Sequence, residues 1–316
     1  MNDKTMNQIA RMKLQTIGVE VEMNGISRRR ASGVAAEYFG GRNEFTANRN
    51  GYDCWSAYDQ QGREWKFMRD VSIDSADDFK KCELVTPILN YYDIETLQEL
   101  VRRLRKHGAR SHAGIGCGVH IHIGAQDHTP QTLRNLANLM AGHEELIAEA
   151  IKVDDGRKNN YCRITNPSFI AKLNKDKPKT MADLAEVWYT TNSGGHANYA
   201  VHEHYNYSRY HMLNLHATFT KGTVEFRLFQ FDKPEGDKRN GIHAGQLKAY
   251  IQLCLAMNQM AKDIRTASPK PQQHENPKFA MRTWLNRMGM IGPEFETARE
   301  FLTKNLTGNA AWRQAS

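Results

Sequence analysis

The chain has 316 residues, 40% of them hydrophobic and 25% charged, with a formal net charge of +8. That length can bury a substantial core in one large domain or two, and no run of about 18 apolar residues offers a membrane span. Met1 to Asn7 lack the apolar core of a secretory signal, and the five cysteines are widely spaced and never form a Cys-x-x-Cys pair. The expectation is a reduced, cytoplasmic protein without a structural zinc knot. The positive charge suits anionic partners such as nucleotides. It is spread along the chain, however, and Arg28 to Arg30 and Arg102 to Lys106 read as solvated helix faces. No dedicated nucleic-acid site is expected.

In chain order, a polar leader runs into a strand over about 14–23. Ser27 caps a helix to about Phe39, closed by Gly40-Gly41. Residues 42–62 read as loop and hairpin, with Asp59-Gln60-Gln61-Gly62 as a turn between aromatic-bearing strands. Trp65 to Ile73 is a further strand, and a polar link leads to a short one over Cys82 to Thr86, closed by Pro87. Asp93 to His107 carries apolar residues at helical spacing, with basic residues in its last turns and Gly108 beyond. A strand over 117–124 follows, and Thr129-Pro130 opens a long helix to about Val153. On it, His143-Glu144-Glu145 read as surface.

Residues 154–178 are polar and loop-like, and a short helix covers 180–189. The stretch 190–208, rich in Asn, Ser, Gly, His and Tyr, suits a mobile loop over a site. Arg209 to Leu215 leads into a strand over 223–229. Long amphipathic spacing then predicts a helix over 241–265, and two more follow at about 277–288 and 293–306. No linker divides the chain, so a single domain over 1–316 is expected, with a core at 14–265 and a helical extension at 266–316.

Chemistry enters through the strands' polar faces. In Ile17-Gly18-Val19-Glu20-Val21-Glu22-Met23 the period of two sets Glu20 and Glu22 opposite Val19, Val21 and Met23. In Val119-His120-Ile121-His122-Ile123 two imidazoles share a face, with glycines at Gly114, Gly116, Gly118 and Gly124 around it. Thr223 to Phe229 sets Glu225 and Arg227 opposite Val224, Phe226 and Leu228, and Glu83 stands alone on its short strand. A solvated sheet face usually mixes Thr, Lys, Ser and Gln. Glu, His and Arg in recurrence instead form the set needed for divalent cations and a phosphate. Converging carboxylates repel unless cations compensate them. The bland reading makes them separate surface residues, with Arg227 in a structural salt bridge and Asp70 and Ser72 in a turn.

Other groupings are weaker. His202, His204, His211 and His216 match no zinc spacing. Cys117 faces away from His120 along the strand, which favours a buried thiol over a nucleophile. No Gly-x-x-x-x-Gly-Lys-Ser/Thr loop is present, so any nucleotide is held by metals, arginine and the sheet.

Six motifs in order resemble the amidoligase family, part of the glutamine-synthetase-like superfamily of carboxylate–amine ligases. They are Gly18 to Glu22, the Trp65 to Ile73 segment, Glu83-Leu84-Val85-Thr86-Pro87, Cys117 to Gly124, Arg209-Tyr210 with Leu213-Asn214, and Thr223 to Phe229. The resemblance implies an α+β fold, a curved antiparallel sheet forming a half-barrel backed by helices. It implies ATP with Mg2+ or Mn2+ on the front of that sheet. Glu22 and Glu83 would hold the metal nearer the reacting acid and amine, which makes Glu22 catalytic. Glu20, His120 and Glu225 would hold the metal bridging the phosphates, His122 and Arg209 would contact the nucleotide, and Arg227 would stabilise the phosphoryl group in flight. Val71 stands where the family has glycine, and Gln230-Phe231-Asp232 replaces its usual Gly-Thr. The implied activity is an ATP-dependent carboxylate–amine ligase acting through an acyl phosphate on an amino acid, a peptide or a protein side chain. The alternatives are an inactive binding or assembly protein of the same fold and a metal hydrolase turning over without ATP.

Overall fold

The computed structural model describes residues 3–46, 53–234, 241–271 and 274–311. Strands β1 (Ile17–Met23), β2 (Asn43–Phe45), β3 (Trp55–Tyr58), β4 (Glu64–Met68), β5 (Cys82–Val85), β6 (Val119–Gly124), β7 (Leu213–Asn214) and β8 (Thr223–Phe229) form an open eight-stranded sheet in the order β2-β3-β4-β5-β1-β6-β8-β7. The pairs β1–β5, β2–β3, β3–β4, β4–β5 and β7–β8 run antiparallel. Helices back the sheet, giving an α+β fold, and among the described residues none is long and apolar enough to cross a membrane. The chain divides into two compact units, residues 16–121 with 229–248, and residues 1–15 with 122–228 and 249–316.

In the strand-rich unit, helix α2 (Arg28–Phe39) packs on β3 and β4 and against helix α3 (Ile94–Lys106). Ser27 caps α2 by accepting from the Arg30 N–H, and Gly40 ends it in the left-handed region. The apolar side of β1, Val19, Val21 and Met23, is fully buried beside Leu84 of β5. Asp59 accepts from the Gly62-side turn at Gln61 and Arg63, as the β3–β4 hairpin reading requires. Residues 47–52 of the sequence-predicted loop lie outside the described residues. Strand β4 stops at Met68, and residues 69–73 turn instead, with Asp70 accepting from the Ser72 N–H and hydroxyl. Val71 is 63% exposed there and takes no left-handed backbone, so that turn does not demand glycine.

The helix-rich unit holds α1 (Asp3–Lys13), α4 (Pro130–Ala150), α5 (Asp155–Asn160), α6 (Pro167–Asp176), α7 (Met181–Asn192), α8 (Ala197–Ala200), α9 (His216–Lys221), most of α10 (Ala244–Asp263), α11 (Pro277–Arg287) and α12 (Glu296–Thr303). Three results differ from the sequence reading. The polar leader is helical, anchored by Arg11 to Asp263 and Lys13 to Glu294. The polar 154–178 stretch folds as α5 and α6, capped by Asp154 and Asn166, with Phe169 and Leu173 buried. Glu144 is only 5% exposed, because the Thr165 N–H and hydroxyl both donate to it at 2.8 and 2.7 Å. All five cysteines are buried, and none forms a disulfide.

Candidate active site

Register between β1 and β5 builds the first half of the site. Glu22 stands directly opposite Glu83, and Val21 opposite Leu84. Like charges directly opposite on a sheet destabilise it, so this pairing calls for compensation. His120 reaches both β1 carboxylates: its Nδ1 lies 3.0 Å from Glu20 and its Nε2 3.6 Å from Glu22. The Gly118 N–H donates to Glu22 at 2.6 Å. Side-chain donors of Glu20, Glu83 and His120 all come within 4.8 Å of one another, as do those of Glu22, Asp70 and Glu83. Glu83 belongs to both groups. Asp70, left between site and turn by the sequence, both closes its turn and joins the second group. Oxygen donors with one imidazole are the chemistry of hard divalent cations such as Mg2+ or Mn2+.

In the helix-rich unit β7 and β8 place the remaining polar residues. Asn214 pairs with Glu225 in register and donates to its carboxylate at 2.6 Å, while Arg227 pairs with the other carboxylate oxygen. Glu225 and Arg227 are both buried, and the Arg227 carbonyl accepts from Arg157. His122 bonds the Thr223 hydroxyl at 3.0 Å, and its Nε2 stands 4.0 Å from Glu225. Asn214 and Thr223 were not singled out in the sequence, although Asn214 sits inside the Leu213-Asn214 element. Glu225, Asn214, His216 and Arg209 line a cavity of about 220 Å3. Burial, reinforced by Arg209, pushes His216 down to about 4, and Tyr189 bonds its Nδ1 at 2.7 Å. That imidazole is neutral at physiological pH.

His202, His204 and His216 line the same cavity, but among the described residues none of His202, His204, His211 and His216 joins a metal-competent group. His211 is buried against the Ser208 carbonyl and pushed down to about 4 by desolvation. Cys117 is buried and directed at the Ile115 carbonyl. The 190–208 stretch is more tightly built than its composition suggests. Glu186 holds His196 and the Ala197 N–H, and the buried Trp188 donates to Ser208.

Comparison with curated protein sequences returns no match. Among solved structures, a bifunctional glutathione synthetase from Pasteurella multocida is similar at 13% identity and a TM-score of 0.44, over 96% of this chain and 49% of that one. The chain thus spans about half the length of that protein. The profile of a family described as "Putative amidoligase enzyme" matches residues 13–258, which include both groups of polar side chains. By a match over most of its length, the chain belongs to the amidoligase family.

Proposed function

We propose that the protein is an ATP-dependent carboxylate–amine ligase, its sheet the half-barrel front of a glutamine-synthetase-like fold. The observation that carries the reading is Glu22 facing Glu83 in register, with Glu20, Asp70 and His120 within reach of one or the other. Such a cluster is costly unless divalent cations share it. Membership in the amidoligase family supports the same chemistry.

In this proposal Glu22 and Glu83 would hold one cation, serving the reacting acid, and Glu20 and His120 would hold a second, serving the ATP phosphates. Bound Mg2+ or Mn2+ would supply neutralisation of phosphate and developing charge. His122 and Arg209 contact the nucleotide. A carboxylate oxygen of the acid attacks the γ-phosphorus, the bond to the β–γ bridging oxygen breaks, and ADP leaves. Arg227, with its planar fork of donors, stabilises the phosphoryl oxygens in transit. The amine nitrogen then attacks the acyl carbon, the bond to phosphate breaks, and the amine's proton leaves with the phosphate.

Hydroxylamine traps an acyl phosphate as a hydroxamate, so the test is ADP release and hydroxamate formation with Mg-ATP across a panel of acids and acidic peptides. ATP-dependent hydroxamate from any member supports the reading. Absence of Mg-dependent ATP binding overturns it, and turnover of an amide without ATP would favour a hydrolase.

A further inference from the structure

Helix α2 begins beside a cavity of about 400 Å3 that the proposed chemistry does not use. Arg28, Arg29, Phe45, Asp53, Trp55 and Phe79 line it, all within the strand-rich unit and none of them in the carboxylate cluster. Its size falls among small-molecule sites, which span about 300–1,000 Å3. Register sets Phe45 of β2 opposite Trp55 of β3, and the two rings meet edge to face at 5.6 Å between centroids. Phe45 and Phe79 are 52% and 68% exposed. Large exposed rings gathered around one hollow mark a binding site, as scattered apolar residues do not.

Charge decides what kind of group would enter. Arg28 is 2% exposed, pairs with Asp53 at 2.6 Å and donates to the Asp78 and Lys81 carbonyls, so the charges of Arg28 and Asp53 cancel. Arg29 is different. It is exposed, its guanidinium stands 5.4 Å from the Trp55 ring centroid, and it meets no carboxylate among the described residues. The sequence from Ala47 to Tyr52 contains no acidic residue either. The start of α2 adds the positive end of its dipole. The balance at the cavity is therefore positive, and it rests on Arg29. A cation, which three rings would otherwise attract, is disfavoured because Arg29 and Arg28 already face Trp55 and Phe79. A neutral apolar side chain would cover the Arg29 guanidinium without a counter-charge. A planar ring carrying an anion satisfies both the rings and the charge.

Asp53 narrows the class. Its Oδ2 takes the Arg28 bond, its side chain is 32% exposed, and its Oδ1 meets no donor among the described residues. An open carboxylate oxygen accepts from the N–H edge of a nucleobase, and a simple aromatic acid offers no such edge. Beyond the ligase reading and independent of it, we infer that this cavity binds a free nucleotide with an amino-bearing base. The base stacks among Phe45, Trp55 and Phe79, gives an N–H to Asp53, and sets its phosphate on Arg29. A cavity of this size holds one base with its phosphate and offers no bed for a strand. The site shares no residue with the cation cluster and needs no metal, because a guanidinium supplies the counter-charge.

The test is isothermal titration calorimetry of the full chain with AMP, adenosine, ribose 5-phosphate and an oligoadenylate. It is run in EDTA, where the cation-dependent ATP site of the ligase reading is idle. The expected result is AMP bound one to one, with adenosine and ribose 5-phosphate each at least about tenfold weaker. Arg29→Gln and Phe79→Ala change exposed side chains, and each should weaken AMP about tenfold without moving the melting temperature. Glu83→Gln should leave AMP affinity unchanged. Absence of AMP binding, or adenosine or ribose 5-phosphate binding as tightly as AMP, would overturn the inference. So would an oligoadenylate that binds tighter than AMP, full affinity in both cavity variants, or loss of AMP in Glu83→Gln. A parallel Mg-ATP titration keeps the two readings apart. Mg-dependent ATP binding without AMP binding in EDTA sinks this inference alone, and the reverse sinks the ligase alone.

Discussion

Replacing Glu83 by glutamine should move stability in opposite directions with and without metal. Its carboxylate comes within 4.8 Å of Glu20 in one group and of Glu22 and Asp70 in the other. Two unit charges 4.8 Å apart repel by about 3.5 kcal/mol at an effective dielectric of 20. Partial exposure offsets much of that, and solvent screening argues for a net gain of about 1 kcal/mol on neutralising Glu83. In EDTA, Glu83→Gln should therefore melt about 2–4 °C above the parent. With Mn2+ at about one hundred times its dissociation constant, the parent gains about 2.7 kcal/mol. Loss of a carboxylate ligand should weaken Mn2+ by at least about tenfold, removing about 1.4 kcal/mol of that gain, so the order of the melting temperatures reverses. Differential scanning calorimetry in EDTA and in a Mn2+ series reads both effects. A variant that melts below the parent in EDTA, or gains as much from Mn2+, refutes the idea that repulsion awaiting a cation defines this cluster.

Two further substitutions bear on separate parts of the argument. Desolvation lifts the Glu144 carboxyl from about 4.5 to about 7, so between those values the folded chain holds a proton that the unfolded chain has released. Its contribution is full below pH 4.5 and is lost as pH rises through 7, by up to about 3 kcal/mol at 1.36 kcal/mol per pH unit. Glu144→Gln keeps an acceptor for Thr165 and should flatten this slope in urea unfolding at pH 5 and pH 8; parallel slopes in the two proteins would contradict the assignment. Arg227→Lys retains the charge and loses the fork, and should lower kcat for hydroxamate formation at least about a hundredfold with a smaller change in KM. A kcat within a few fold of the parent would remove Arg227 from the phosphoryl step.

Much of the framework can be read from local pattern. Alternation in Gly18 to Met23 and in Val119 to Ile123 is a property of consecutive residues, because a pleated strand must send neighbours to opposite faces. It therefore marks both the strands and the side on which Glu20, Glu22, His120 and His122 stand. Helices α3 and α10 are legible for the same reason, from apolar spacing with a cap or a closing glycine. Helices α5 and α6 are hidden because their apolar stripe is short. Their signals were the caps at Asp154 and Asn166 and Pro167 at the first turn, which polar composition masks.

What the chain order cannot contain is decided by partners brought from far away. Glu144 reads as surface from its neighbours, and becomes buried because Thr165, 21 residues on, satisfies its oxygens. Glu22 and Glu83 are each unremarkable on their own strands. Only the β1–β5 register sets one across from the other, and a slip of one residue would have turned Glu83 to the opposite face. Residue type and period name the candidate side chains and their faces, and tertiary pairing determines which of those charges meet.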